Sequence, residues 1–202
     1  VEGGLMTGVV EPCAPLREFL AKRRGQDYAD RMVEPDEGAH YERVIEVNLD
    51  DVPLTVATPG DSRNRLSLSE ADTVDIHNVV IASCTGGSIS DLRAAADVLR
   101  GRQIHDAVRV TVTPSSEVVA HEAEEAGILR EFRELGVVVS PPGCGSCIGN
   151  GPGVPYPGET TASTTNRNFD RRMGAPGPVY LVSPAVAAAS AVTGRLTDPR
   201  TL

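Results

Sequence analysis

The chain has 202 residues, 40 % of them hydrophobic, with a formal net charge of −9. That is long and apolar enough for one α/β domain with extra elements, while the acidic balance argues against nucleic acid, whose phosphates need clustered Lys and Arg. With 3 % aromatics and no Trp there is no platform for stacked bases. No run approaches the roughly 18–20 apolar residues of a membrane span, so a cytoplasmic protein is expected.

Val1 opens the chain without an initiator Met, and a processed or partial sequence is expected. Residues 1–50 read as the margin of a preceding domain and 51–202 as an α/β domain. In the first part, an apolar stripe at Leu16, Phe19 and Leu20 predicts one helix. Ile45, Val47 and Leu49 alternate with Glu46 and Asn48, which predicts a strand over 42–49. From Pro53 to Thr73 the wording is that of a loop, with its clearest turn at Pro59-Gly60-Asp61-Ser62.

Periodicity then sharpens. Val79–Ala82 reads as a buried strand, and Ser88-Ile-Ser-Asp91 opens a helix with the stripe Ile89, Leu92, Ala96 and Leu99, closed by Gly101. Val108, Val110 and Val112 give a second strand, and Ser115 or Ser116 caps a helix running to Ala126 and, past Gly127, from Ile128 to Leu135. Val137–Val139 gives a third strand and Val179–Val182 a fourth. Ser183-Pro184 then opens an Ala-rich helix ending at Gly194. Alternating strands and helices predict a parallel sheet in a three-layer α/β/α arrangement, with every strand exit on one edge, where ligands bind in such sheets.

That edge gives the cysteines meaning. Cys84 follows the first buried strand, and Cys144-Gly-Ser-Cys147 follows the third in a glycine-rich loop. Four cysteines in a chain of this length do not suggest a disulfide framework. Cys13, between two prolines, reads as an ordinary thiol, and His105 and His121 as packing or surface residues. A closed zinc site would need a fourth ligand. A thiol redox pair at Cys144 and Cys147 should open a helix directly after a strand. Three thiolates suit an iron–sulfur cubane with one iron lacking a protein ligand.

Four motifs extend the reading: Ser83-Cys84-Thr85-Gly-Gly-Ser-Ile-Ser-Asp91, Pro141-Pro-Gly-Cys144-Gly-Ser-Cys147, Ser163-Thr-Thr-Asn166-Arg167-Asn168-Phe169, and Tyr180-Leu-Val-Ser183-Pro184. Together, and in this order, they resemble the aconitase superfamily, nearest its isopropylmalate dehydratase and homoaconitase branch, over most of residues 75–199 and more loosely before. The resemblance implies the fold of that family's third domain, with a remnant of what precedes it. It also implies a 4Fe-4S cluster on Cys84, Cys144 and Cys147. The implied reaction is the dehydration and rehydration of a 2-hydroxy di- or tricarboxylate such as isopropylmalate, homocitrate or citrate. Arg167 and Arg172 would hold substrate carboxylates, which guanidinium groups match bidentately, with Asn166 beside the cluster.

Two departures accompany the resemblance. Gly86 stands where the family usually has Asn, and Arg171 where it often has Gly, so either Arg171 or Arg172 could face inward. The motifs contain no acid/base group, so catalysis would need missing domains or a small swivelling subunit. The alternatives are a non-catalytic cluster- or zinc-binding module and an inactive fragment.

Overall fold

The computed structural model describes residues 4–71 and 74–202. The chain separates into two compact units, one running to Asp51 and the other Val52–Leu202.

In the first unit, α1 spans Ala14–Arg24, with Pro15 in its first turn, Lys22, Arg23 and Arg24 in its last, and Gly25 in the left-handed conformation behind it. Proline suits the first turn, where an amide would be unpaired anyway, and cations suit the C-terminal carbonyls. The strand expected over 42–49 does not form: apart from a single 3-10 turn at Leu49–Asp51, these residues are irregular. Alternation only marks a surface for pairing, and Ile45 and Val47 stay 68 % and 63 % exposed with no strand beside them. No described residue before Val52 is buried.

The second unit is built on a seven-stranded sheet: β1 Thr55–Ala57, β2 Arg65–Ser67, β3 Asn78–Ala82, β4 Arg109–Thr113, β5 Val138–Val139, β6 Thr161–Ser163 and β7 Val179–Leu181, in the order β2-β1-β7-β6-β3-β4-β5. From β7 to β5 all neighbours are parallel, and β1 joins β7 and β2 antiparallel. The fold is α/β with a mostly parallel sheet, as expected. The segment expected to be a loop instead holds the β1–β2 hairpin, and β6 is a further strand that the sequence did not announce. Each of these strands is three residues long, too short for alternation to be seen, and sheet pairing decides its state.

Helices α3 (Ile89–Leu99), α4 (Glu117–Glu125), α5 (Ile128–Glu134) and α6 (Pro184–Thr193) follow the sequence reading closely. Ser88, Ser116 and Ser183 each accept a hydrogen bond from a first-turn amide, and Ser88 forms a reciprocal capping box with Asp91. Gly127, left-handed, separates α4 from α5. The main core forms where Val79 and Ile81 of β3 and Val110 and Val112 of β4 meet Leu92, Ala96, Val119, Phe132 and Ala188 of the four helices. Because strand side chains alternate, Val80 and Ala82 face the other way, onto Met173 and Val179. Irregular chain covers that second face: a Cβ on Gly153 would lie 3.1 Å from Thr111 Cβ, and Asn78 Nδ2 donates to Gly153 O at 2.9 Å. The third layer is thus irregular chain rather than helix, because the return from β5 to β6 and the link from β6 to β7 both lack helical periodicity.

The order in which strands are added reverses between β3 and β6. The connections from β3 to β5 step outward with helices on one face, whereas β6 steps toward β7 with its loop on the other. The crevice between the β3 and β6 exits is therefore the topological switch point, the usual ligand position in open α/β sheets.

Candidate functional site

The β3 exit turns at once. Ser83, 1 % exposed, sits at φ 74° and starts the short helix α2, Ser83–Gly86, which carries Cys84. A left-handed non-glycine residue directly before a candidate ligand is a local strain that the surroundings must hold in place. They do so from two sides. Thr164, just beyond β6, accepts from Ala82 N at 2.9 Å and donates to Gly86 O at 3.2 Å. On the other side Ser115 N donates to Gly87 O at 2.9 Å.

Gly86 is crowded: in this backbone a Cβ would meet Thr164 Oγ1 at 2.2 Å. An Asn there would require the Cys84 turn or the β6 exit to shift. The residue that departs from the resembled pattern is thus the one on which Thr164 closes.

The second and third thiols come from the 140s loop. Cys144 is exposed and precedes a 3-10 turn, Gly145–Ile148, while Cys147 is 4 % exposed. Two residues on, Gly149 at φ 77° packs backbone to backbone on Gly174 at φ 92°; a Cβ on Gly149 would come 2.7 Å from Gly174 Cα. This contact clamps the Cys147 loop to the arginine loop. Cys147 Sγ donates to Asn166 Oδ1 at 3.7 Å, and Arg172 Nη2 donates to Cys147 Sγ at 3.7 Å. The Arg172 guanidinium also lies over Phe169, 5.5 Å from the ring centre. Arg171 differs: it is exposed, left-handed at φ 58°, and ion-paired with Asp170 at 3.6 Å. The geometry therefore turns Arg172 toward the thiol and Arg171 away from it. Arg167 is half-buried in the same loop.

The fold thus brings Cys147, Asn166 and Arg172 into contact, and Thr164 links their loop to the Cys84 turn. All four cysteines are free, and among the described residues no group of three or more His, Cys, Asp or Glu side chains is drawn together in metal-holding geometry. Cys84 and Cys144, both exposed, have room to rotate. The donor set nevertheless fits a sulfide-rich, anionic group. Buried hydroxyls of Thr113, Ser140 and Ser146, together with Arg172 Nε, lack hydrogen-bond partners. All four lie at the β4 and β5 exits or in the thiol and arginine loops. Unpaired buried donors of this kind ask for an acceptor.

Sequence reasoning missed Thr164, the Gly149–Gly174 contact and Asn168. Thr164 and Asn168 carried one signal, their place inside the Ser163–Phe169 motif, whereas the glycine contact carried none. His121, paired with Glu125 at 3.3 Å on the exposed face of α4, and His105, whose ring packs against Gly194, are a surface and a packing residue as expected. A cavity of about 410 Å³ lined by Asp75, His77, His105 and Arg195 lies at the opposite edge, where the strands begin, away from the thiols.

Residues 69–194 match the model of the aconitase family (aconitate hydratase). The chain belongs to the aconitase family. Among curated aconitase-family relatives, it is 42 % identical over 201 residues to "3-isopropylmalate dehydratase large subunit 1" of Methanopyrus kandleri, covering 99 % of this chain and 48 % of that protein. It is 42 % identical over 200 residues to the large subunit from Clostridium kluyveri, covering 98 % and 47 %. The large subunit 1 of Pyrococcus furiosus is 42 % identical over 202 residues, with coverage of 98 % and 47 %. The chain spans about half the length of these relatives. The likeness reaches through residues 1–50, further than the motifs implied. Among the described residues no helix is long and apolar enough to cross a membrane.

Proposed function

We propose that this chain is the cluster-bearing part of an aconitase-type hydro-lyase large subunit, acting in the cytoplasm on a 2-hydroxy di- or tricarboxylate such as isopropylmalate, homocitrate or citrate. The observation that carries the reading is the meeting of Arg172, Asn166 and Cys147 beside the switch point of the sheet. Cys84, Cys144 and Cys147 would hold a 4Fe-4S cluster through three thiolates. When bound, that cluster supplies a Lewis-acidic iron able to polarise a hydroxyl.

The protein's own groups orient and bind. Arg172 presents its guanidinium to a substrate carboxylate and Arg167 receives the second, each as a fork matched to two oxygens. Asn166 fixes the buried Cys147 sulfur through its amide. Phe169 backs the Arg172 guanidinium, keeping its plane fixed and shielding one face from water. The acid/base groups come from outside this sequence, from further domains or from a small partner subunit. Supporting the partner, the relatives are named as large subunits.

The test is anaerobic reconstitution with iron and sulfide, followed by hydratase assays on isopropylmalate, homocitrate and citrate with and without a small subunit. The expected result is a brown protein that turns over one of these acids only in the complete complex. A colourless protein that binds one zinc tightly, or a complete complex that turns over none of the three, would overturn the reading.

A further inference from the structure

Between the two arginines lies a residue to which the proposed chemistry assigns no part. Asn168 is 2 % exposed, and its Nδ2 donates to Thr58 O at 2.7 Å and to Val179 O at 3.0 Å, with Ala57 O a longer third acceptor at 3.4 Å. Its main-chain carbonyl accepts from Gly60 N at 3.0 Å. One residue therefore ties the arginine loop to the end of β1 and the start of β7 through its side chain, and to the β1–β2 hairpin loop through its main chain.

The three carbonyls fix the amide orientation, since only the NH₂ end can satisfy them, and Oδ1 is left buried without a partner. Such an arrangement sacrifices one acceptor to hold the middle of a loop that is otherwise fixed nearer its ends, by Thr164 at its start and by the buried Met173 and the Gly149–Gly174 contact at its close.

We infer that Asn168 is a positioning residue that pre-sets Arg167 and Arg172 for carboxylate recognition, with the β1–β2 hairpin as the fixed wall against which it braces them. The inference rests on the carboxylate-binding reading above. Arg167 adjoins Asn168 in the chain, and Arg172 follows one turn later, so a loop released from the three carbonyls lets both guanidinium groups wander. A flexible fork must then be ordered by each incoming substrate, and affinity falls without any direct contact having been removed.

The test uses the complete reconstituted enzyme and equilibrium binding of 2-isopropylmalate, homocitrate or citrate, whichever the wild type binds. Asn168→Ser is expected to weaken binding about tenfold or more while iron content stays that of the wild type. Ser190→Ala, which removes a buried hydroxyl bonded to Val186 O and Thr197 N, serves as the control: it should lower thermal stability and leave affinity unchanged. In the double variant with Arg172→Lys, Asn168→Ser should add clearly less than its full effect in the wild type, because the part that acts through Arg172 is already lost and only the part through Arg167 remains. If Asn168→Ser does not fold, Asn168→Ala, which removes the donor without setting a further acceptor against the three carbonyls, takes its place. Unchanged affinity in the Asn168 variant, or full additivity with Arg172→Lys, overturns the positioning role alone. A wild type that binds none of the three acids overturns the functional reading itself, and this inference with it.

Discussion

Replacing Gly149 by alanine tests whether the clamp between the thiol and arginine loops holds the site together. Two effects are expected, and Gly151 separates them. Gly149 and Gly151 lie in the same loop at φ 77° and 74°, so an added methyl forces a left-handed alanine at either position, at about 1–2 kcal/mol, partly offset by a stiffer unfolded chain. Only the space differs. At Gly151 nothing lies within 4 Å of the new Cβ, whereas at Gly149 it would meet Gly174 Cα at 2.7 Å, Gly174 N at 2.9 Å and Met173 C at 3.3 Å. All three are backbone atoms with no side chain to swing aside, so overpacking adds about 1–3 kcal/mol. Gly151→Ala should cost about 1 kcal/mol and Gly149→Ala about 2–4. At about 2–4 °C per kcal/mol for a chain of this size, the two melting temperatures should differ by several degrees. Thermal and urea denaturation of the reduced protein would measure this, and thiol titration would follow Cys147, which should react faster in Gly149→Ala as the loops part. Equal stabilities, or an unchanged rate at Cys147, would refute the clamp.

Thr164→Val should destabilise by about 2–4 kcal/mol, because the Ala82 amide loses its side-chain acceptor in a buried site; Thr164→Ser should restore most of this in the same urea titrations. Cys144→Ser should abolish the visible absorbance of the reconstituted protein while Cys13→Ser leaves it intact; equal spectra would remove Cys144 from the ligand set. Arg172→Lys should weaken dicarboxylate binding by about 1.5–3 kcal/mol, since an ammonium replaces a fork, while Arg171→Lys should change it little; calorimetry would decide between them. Side-chain hydrogen bonds from Arg17, Arg63 and Arg200 hold the carboxyls of Asp27, Asp61 and Asp198 below the usual range. A lowered native pKa gives stability that is present above about pH 4 and lost as pH falls through the native value. These pairs are exposed, so acid titrations of stability at low and high salt should show a small contribution that shrinks with salt.

The helices and long strands were legible because their causes are local. Ser88 with Asp91, Ser116 and Ser183-Pro184 cap where the sequence says they do, and Val79–Ala82 is apolar at every position because both faces of β3 are covered. The expected strand over 42–49 was wrong for the complementary reason: alternation describes a surface, and among the described residues no strand pairs with it. The hairpin and β6, three residues each, exist through their partners and left no local trace.

By itself, the sequence determined which chemistry is possible: three thiols after two strands, arginines in a polar loop, and an order of motifs that the family comparison bears out. Only the tertiary structure decided which groups meet. It turned Arg172 inward and gave Arg171 to solvent, set Thr164 against Gly86, and made two glycine backbones the joint between loops that lie about 25 residues apart in the chain. Hydrogen-bond caps and periodicity act within a few residues and can be read along the chain. Contacts across a parallel sheet depend on strand order and register, which short strands acquire only from their neighbours.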